Sequence, residues 1–213
     1  MAASKETYLS PLADTLALRW PANHTVNIVC HGHSVPSGYA CTPLVRPFSA
    51  YPHLLHRLLA ERYPYAVVNV IVTAIGGENS AQGAARFEQD VLCHRPSLVT
   101  IDYGLNDRGI GLPAAETAWR AMIESALAHD VRVILLTPSL DNNPDSTELL
   151  RHAEQIRRLA DEYGTGLADS FLALTRALEH GEALNNLLSH VNHPSLRGHE
   201  LIARELAAWF PPR

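Results

Sequence analysis

Short apolar runs alternate with amphipathic stretches along this chain, and the alternation restricts its fold more than any other feature of the sequence. The runs have strand length, are rich in valine, isoleucine and leucine, and stop at glycine, proline or polar turns. Continuous apolar strands of this kind are typical of a parallel sheet that is buried on both faces. Strands are expected at residues 26–30, 66–73, 98–103 and 131–137, with a weaker fifth at 166–169.

Helices are predicted between the strands, where apolar residues recur at helical spacing. The clearest stripe runs from Ala115 to Leu127, and a last helix is expected from Pro194, at a favoured first helical position, to Phe210. This order predicts an α/β fold with right-handed crossovers and helices on both faces of the sheet. The other helices are expected at 8–19, 51–63, 80–94 and 149–163.

Size and charge narrow the possible functions. A chain of 213 residues with 46% hydrophobic content can bury a large core. We expect a single domain over residues 1–213, with a core at about 26–210 and an N-terminal extension, 1–25, packed on it. The net charge of −5 provides no basic surface for nucleic acid.

The cysteines and the N-terminus indicate a reduced, cytoplasmic protein. Cys30, Cys41 and Cys93 are too widely spaced for a disulfide framework or a CxxC metal pair, and Cys30 is expected in the core. Charged residues interrupt the first twenty positions, so no signal peptide is expected. No apolar run is long enough to span a bilayer, and no membrane partner is predicted.

A serine at the end of the first strand is the first candidate for chemistry. The stretch Val26–Ala40 reads VNIVCHGHSVPSGYA, so that Ser34 follows a buried strand on a tight turn. Such a turn is where an α/β fold presents a nucleophile. The alternative is that Ser34 only caps a helix. The stretch is not a G-x-S-x-G elbow, because Pro36 stands at the second glycine position.

Three further stretches supply the other groups that acyl transfer needs. Gly77 follows the second strand and Asn106 the third, and His193 stands directly before the last helix. A glycine allows a backbone N–H to approach a substrate closely, and an asparagine amide is a neutral second donor. A histidine is the usual base for a serine nucleophile. Together these residues predict a nucleophile, a base and an oxyanion site at one edge of the sheet.

The four stretches resemble the four sequence blocks of the SGNH hydrolases, also called GDSL esterases and lipases. The G-D-S block reads Gly32-His33-Ser34, and the second block is Gly77-Glu78. The last two blocks are Gly104-Leu105-Asn106-Asp107 and His193-Pro194. The resemblance covers most of the chain, from about Val26 to Phe210.

The resemblance implies a flavodoxin-like, three-layer α/β/α fold with about five parallel strands. It also implies hydrolysis of esters or thioesters through an acyl-serine, without metal or cofactor. Ser34 would be the nucleophile and His193 the base. The backbone N–H groups of Ser34 and Gly77 and the side chain of Asn106 would bind the oxyanion.

Two positions depart from the family pattern. His33 replaces the aspartate of G-D-S, which has no catalytic part in the family scheme. His190 stands where the family places the acid, three residues before the catalytic histidine. A neutral His190 could accept a hydrogen bond from His193. The alternatives are a main-chain carbonyl, giving a serine–histidine dyad, or a carboxylate from elsewhere, with Asp169 the first candidate.

Neither the substrate nor the functional class is decided by these residues alone. We expect a short-chain ester of a small molecule or carbohydrate, with an O-acetyl group favoured, and Tyr39, Arg46 and Phe48 as candidate contacts. A thioesterase or lysophospholipase is the alternative within the enzyme class. Outside that class, the chain could be a metal-binding protein that uses histidines such as the His190-x-x-His193 pair, or a non-catalytic sugar- or lipid-binding relative.

Overall fold

A computed structural model describes residues 3–212, and it contains one sheet of five parallel strands. The strand order is β2-β1-β3-β4-β5, the order of flavodoxin-like doubly wound sheets. The order places β1 between β2 and β3, so the chain segments that follow these three strands leave the sheet side by side. The strands are β1 (Thr25–Gly32), β2 (Val67–Val72), β3 (Leu98–Asp102), β4 (Arg132–Leu136) and β5 (Gly166–Ala168).

Helices cover both faces of this sheet. Successive β1 residues point to opposite faces, with Ile28 in one core cluster and Val29 in the other. The three-layer parallel fold expected from the sequence is therefore confirmed. The helices are α1 (Ser10–Leu16), α2 (Ser34–Ser37), α3 (Tyr51–Arg62), α4 (Ser80–Ala85), α5 (Phe87–Asp90), α6 (Gly111–Ala128), α7 (Thr147–Tyr163), α8 (Ser170–Glu179), α9 (Leu184–Leu187) and α10 (Leu196–Ala207).

The two core clusters show which helices belong to which layer. Residues of α1, α3 and α10 pack on one face of the sheet, and residues of α6 and α7 pack on the other. Leu9, Leu12 and Leu16 bring the N-terminal segment into the first cluster. Residues 1, 2 and 213 of the expected domain lie outside the described residues.

Two helix predictions were wrong in detail. The helix expected over 80–94 is broken into α4, α5 and a 3₁₀ turn at Leu92–His94, and the backbone of Arg86, between α4 and α5, leaves helical geometry. The last helix begins at Leu196, not Pro194, since the Ser195 side chain accepts the N-cap hydrogen bond from the Gly198 amide. Helices α8 and α9 were not predicted.

Candidate active site

Ser34 lies just beyond the carboxyl end of β1, and it is the first residue of α2. Gly32 is required just before it, because a Cβ there would lie 2.5 Å from the Asp102 carbonyl oxygen. The His33 amide donates to that carbonyl at 3.3 Å. The turn is therefore tied to β3, and it holds the buried Ser34 side chain at the edge of the sheet where α/β folds bind ligands.

Ser34 and His193 form a hydrogen-bonded pair. The distance from Ser34 Oγ to His193 Nε2 is 3.0 Å, and His193 Nδ1 lies 2.9 Å from the Ala40 carbonyl oxygen. A carbonyl oxygen can only accept, so Nδ1 carries the ring proton and Nε2 presents a lone pair. The Ser34 hydroxyl therefore donates to Nε2, which is the arrangement that general-base activation of a serine requires.

The segment that carries His193 is a tight, internally bonded turn. The Ser189 amide donates to the His193 carbonyl at 2.9 Å, and the Ser189 hydroxyl donates to the same carbonyl at 3.2 Å. Leu188 and Pro194 form an antiparallel bridge across the turn. The Tyr39 ring lies against the imidazole, with 6.0 Å between the ring centroids. These contacts fix the position of the imidazole before substrate binds.

Burial controls the charge of His193. Desolvation lowers the pKa of its imidazole from 6.5, although the hydrogen bond to the Ala40 carbonyl acts in the opposite direction. A positive charge on His33 or His190 would lower it further. The imidazole is therefore neutral, and able to accept a proton, at and somewhat below neutral pH.

His190 does not occupy the position of the family acid. Its side chain is exposed, and within residues 3–212 it makes no hydrogen bond to His193. The Ala40 carbonyl already accepts from His193 Nδ1, which leaves that nitrogen no proton for another acceptor. The expected orienting contact from His190 is thus wrong, and the main-chain alternative is the one that the structure contains.

Asp169 is also engaged elsewhere. It caps α8 by accepting from the Leu172 amide at 3.1 Å, and its carboxylate pairs with Arg157 at 2.7 Å. Burial alone would raise the pKa of Asp169, but hydrogen bonds from Arg157, the Leu172 amide and Thr137 hold it below its ordinary value. Asp169 is therefore a structural ion-pair partner and N-cap, and not an alternative acid for His193.

Asn106 and Gly77 lie on the two segments that flank the Ser34 turn. The Asn106 side-chain amide donates to the Glu78 carbonyl oxygen at 2.8 Å, which joins the segment after β3 to the segment after β2. An amide group carries two N–H bonds, so one remains for a ligand. Gly77 has φ +84°, a conformation that favours glycine, and no atom lies within 4 Å of a Cβ built there.

The aspartate that follows Asn106 has a structural role. The Asp107 carboxylate is fully buried and accepts from the Ser80 amide and from Trp119 Nε1, both at 2.7 Å. Burial raises the pKa of Asp107, and these two hydrogen bonds oppose that effect. Because Ser80 begins α4, the carboxylate fixes that helix to the segment that carries Asn106.

Two members of the site were not predicted from the sequence. The Ala40 carbonyl is a backbone group, and no side-chain pattern identifies it. Asp102, the last residue of β3, lies 3.5 Å from His33, measured from Oδ1 to Nε2. The register that pairs Gly32 with Asp102 makes this contact, and only the sheet order reveals it.

The predicted substrate contacts lie around a small cavity beside His193. Tyr39, Ala40 and Arg46 line it together with Pro194 and His199, and its volume is about 190 Å³. Arg46 is exposed, and no hydrogen bond or ion pair of its guanidinium occurs within residues 3–212. Phe48 is 79% exposed and contacts His53 instead of this cavity.

His31 and His199, two further histidines near the site, are each held by hydrogen bonds. His31 bonds Thr73, the Gly83 carbonyl and the Tyr103 hydroxyl, and burial lowers its pKa to about 4. His199 accepts from the Tyr51 amide at the start of α3, and burial lowers its pKa to about 3. Over residues 3–212, no three or more His, Cys, Asp or Glu side chains are grouped as metal ligands would be.

Comparison with known proteins identifies the class. The profile of the GDSL-like lipase/acylhydrolase family matches residues 30–201. An acetylxylan esterase of Geobacillus stearothermophilus is 24% identical over 163 residues, which is 69% of this chain and 74% of that protein. Esterase TesA of Pseudomonas aeruginosa is 31% identical over 121 residues, 56% of this chain and 59% of TesA.

Solved structures with a similar fold were also found. Axe2, an acetylxylan esterase from Geobacillus stearothermophilus, has a TM-score of 0.77 at 20% identity, with 88% of this chain and 95% of Axe2 covered. LAE5, an alpha/beta hydrolase enzyme from the metagenome of Lake Arreo, has a TM-score of 0.74 at 25% identity, with coverage of 86% and 94%. No helix within residues 3–212 has the length and apolar character needed to cross a membrane.

The protein is a hydrolase that acts on ester bonds. Since the profile covers most of its length, the chain belongs to the GDSL-like lipase/acylhydrolase family, as the four sequence blocks predicted.

Proposed function

We propose that this protein is a serine esterase that hydrolyses short-chain carboxylic esters, with O-acetyl groups on a carbohydrate as its substrates. The observation that carries the proposal is the line of contacts from Ser34 Oγ through His193 to the Ala40 carbonyl, at 3.0 and 2.9 Å. It provides a nucleophile, a base of defined tautomer and a fixed acceptor behind that base.

In the first step, Ser34 Oγ attacks the carbonyl carbon of the ester while its proton moves to His193 Nε2. His193 is then a cation whose two N–H groups point to the serine side and to the Ala40 carbonyl. The carbonyl dipole stabilises this cation less than a carboxylate would. The reaction therefore runs through a serine–histidine dyad.

The oxyanion forms within reach of three donors in this scheme. These are the backbone N–H groups of Ser34 and Gly77 and the Asn106 side chain. The hydrogen bond from Asn106 to the Glu78 carbonyl sets the orientation of the amide in advance. Donors that are already oriented stabilise developing charge without reorganisation at the moment of reaction.

Collapse of the tetrahedral intermediate releases the alcohol, which takes its proton from His193 Nε2. The acyl group remains on Ser34 Oγ. Water then enters, gives a proton to the neutral His193 and attacks the acyl carbon. The carboxylic acid leaves, and Ser34 recovers its proton.

The relatives support a small acyl group on a carbohydrate. The name acetylxylan esterase belongs to a similar protein from Geobacillus stearothermophilus, found both as a curated sequence and as a solved structure. The proposal of a carbohydrate ester rests on that similarity.

One observation favours a second candidate, a thioesterase or lysophospholipase. The loop between α2 and α3 exposes two apolar side chains on the segment that bonds back to Tyr39 and Ala40: Leu44 at 46% and Val45 at 41%. An apolar loop at the rim could accommodate a longer acyl chain.

The cytoplasmic location and the absence of a cofactor stay predictions from the sequence.

Chain-length selectivity separates the two candidates. We would measure kcat/KM for p-nitrophenyl esters from acetyl to palmitoyl, for acyl-coenzyme A thioesters of the same lengths and for acetylated xylo-oligosaccharides. The proposal predicts a maximum at acetyl and release of acetate from the oligosaccharides. A maximum at eight carbons or longer, with no acetate released from the sugars, would favour the thioesterase or lysophospholipase.

A further inference from the structure

His33 makes a set of buried polar contacts that the proposed reaction does not use. The side chain is fully buried directly before Ser34. Its Nδ1 lies 3.2 Å from the Val35 amide nitrogen and 3.4 Å from Ser34 Oγ. Its Nε2 lies 3.5 Å from Asp102 Oδ1, and within residues 3–212 it has no hydrogen bond of ordinary geometry. A buried polar atom of this kind requires a physical explanation.

The Val35 amide determines the tautomer of His33. A backbone N–H can only donate, so Nδ1 of His33 accepts and carries no proton. In the neutral ring the proton is then on Nε2, where it faces the Asp102 carboxylate. The contacts at the two ring nitrogens agree with one protonation state, the neutral Nε2–H form.

Asp102 is a buried carboxylate that faces this ring. It is 3% exposed at the end of β3, and among residues 3–212 its ion-pair contact is with His33. Burial raises the pKa of the Cys30 thiol to about 12, and the charge of Asp102 adds to that rise. A buried charge is costly unless a polar group faces it, and the His33 Nε2–H is placed to do so.

We propose that His33, oriented by Asp102, is a positioning residue for the nucleophile. The ring caps the turn through the Val35 amide, and its Nδ1 lies 3.4 Å from Ser34 Oγ, so that it holds the turn in the position where His193 accepts the single hydroxyl proton of Ser34. The role rests on the proposed serine esterase function. It assigns a task to the position at which this chain departs from the G-D-S pattern.

The distances distinguish this role from that of a second base. The His33 Nδ1 lone pair is already shared with the Val35 amide, and its distance to Ser34 Oγ is 3.4 Å, against 3.0 Å for His193 Nε2. A proton on Nδ1 would leave the Val35 amide without its acceptor. His33 therefore stays neutral through the cycle, and His193 alone exchanges the proton.

The first test is the tautomer itself. Nitrogen NMR of wild-type protein with isotopically labelled histidine should show the His33 proton on Nε2, and none on Nδ1, under the conditions of the activity assay. Its signal is assigned by comparison with His33→Asn. A proton on Nδ1 under those conditions would overturn the proposal, and the tautomer is measured on the wild-type protein itself.

The second test is kinetic. His33→Leu removes the acceptor and should lower kcat by about 10²-fold with KM nearly unchanged, the scale expected for a misplaced reacting group. His33→Asn keeps a neutral acceptor near the Val35 amide and should recover most of that loss. His129→Leu, at an exposed histidine that ends α6, is the matched control.

Labelling of Ser34 by an organophosphonate separates failure of this inference from failure of the proposed function. If wild-type Ser34 is not labelled, the esterase mechanism fails. If Ser34 is labelled at the same rate in wild type and in folded His33→Leu, the positioning role alone fails. The proposal predicts labelling in both, slower in His33→Leu and largely restored in His33→Asn.

Discussion

His193 Nδ1 lies 2.9 Å from the carbonyl oxygen of Ala40, at the position where the family scheme would place an aspartate. The contact fixes the same tautomer that an aspartate would, because either acceptor takes the Nδ1 proton. It differs in charge: a carbonyl dipole stabilises the imidazolium less strongly than a carboxylate. The pH dependence of the reaction should therefore show a base that lacks a charged partner.

The acid limb of the pH–rate profile should show that the pKa of His193 is lowered. Only the neutral imidazole accepts the Ser34 proton, so kcat/KM rises with pH through the His193 pKa and is level above it. Burial lowers that pKa from 6.5, and the midpoint of the limb should therefore lie below pH 6.5. We would measure kcat/KM for p-nitrophenyl acetate from pH 4 to pH 8, a range chosen to bracket an ordinary histidine.

His190 provides the control for this profile. Because its side chain is exposed and not bonded to His193, His190→Ala and His190→Asp should leave kcat within about 2-fold, as is usual for surface changes. Because a positive His190 would lower the His193 pKa, His190→Asp should move the acid limb slightly towards higher pH, and a large change of kcat at neutral pH would indicate that residue 190 contacts the base.

Asp169→Asn should affect stability and not catalysis. The change removes the charge and one of the two oxygens that accept from Arg157, whereas the asparagine Oδ1 can still cap α8, so we expect a loss of about 1–3 kcal/mol in the free energy of unfolding by urea. The folded variant should keep the wild-type kcat. Asp161→Asn, at an exposed carboxylate on α7, is the matched control.

The pH dependence of the free energy of unfolding provides a second test of the structural role of Asp169. Its folded pKa is lower than 3.8, so its contribution to stability is complete above the unfolded value and is lost as pH falls through the folded value. The stability deficit of Asp169→Asn relative to wild type should therefore shrink in strong acid. A deficit that grew on acidification, or a large loss of kcat in the folded protein, would contradict this assignment.

Asn106→Ala should lower kcat far more than it raises KM. An oxyanion donor acts chiefly when charge develops, and loss of one such donor costs about 10²–10³-fold in kcat. The variant also loses the bond to the Glu78 carbonyl, so its unfolding must be measured in parallel. Asn69→Ala, which loses an amide bond to Asn27 of similar length at 2.9 Å, is the control. A stable Asn106→Ala with full kcat would exclude this residue from the oxyanion site.

Local patterns predicted the strands well because each strand is a continuous apolar run. The first strand was placed at 26–30 and spans Thr25–Gly32, and the fourth was placed at 131–137 and spans Arg132–Leu136. Helix α8 was missed although Phe171, Leu174, Ala177 and Leu178 recur at helical spacing after a good N-cap, Asp169. The helical spacing is therefore present in the sequence, directly after the weakly predicted strand at 166–169.

The continuous helix expected over 80–94 fails for a tertiary reason. Gly83 packs directly against the Tyr103 ring, and Arg86 turns out of the helix to bind Glu78 and Asp90. Contacts with the segments that follow β2 and β3 decide the local structure here. Such contacts override helix propensity, and the sequence of the segment alone does not contain them.

The four candidate site residues could be proposed from the sequence because each needs a specific side chain or glycine at a strand end or before a helix. The groups that orient these residues were not identified, because they are backbone groups or are brought into place by the sheet register. From the sequence, any main-chain oxygen near His193 could have been the acceptor that the Ala40 carbonyl provides. Asp102 contacts His33 only because β1 pairs with β3. The sequence therefore indicated the reacting groups but not the groups that hold them.

The most direct test of the account is to identify the residue that becomes acylated. Protein mixed with p-nitrophenyl acetate and quenched in acid within one turnover should carry one acetyl group on the peptide that contains Ser34. Ser34→Ala should carry none and lose several powers of ten in kcat, whereas Ser37→Ala, a serine on the same helix α2, should be acetylated normally on Ser34. Turnover of Ser34→Ala near the wild-type rate, or an acetyl group on another residue of the active enzyme, would contradict the account.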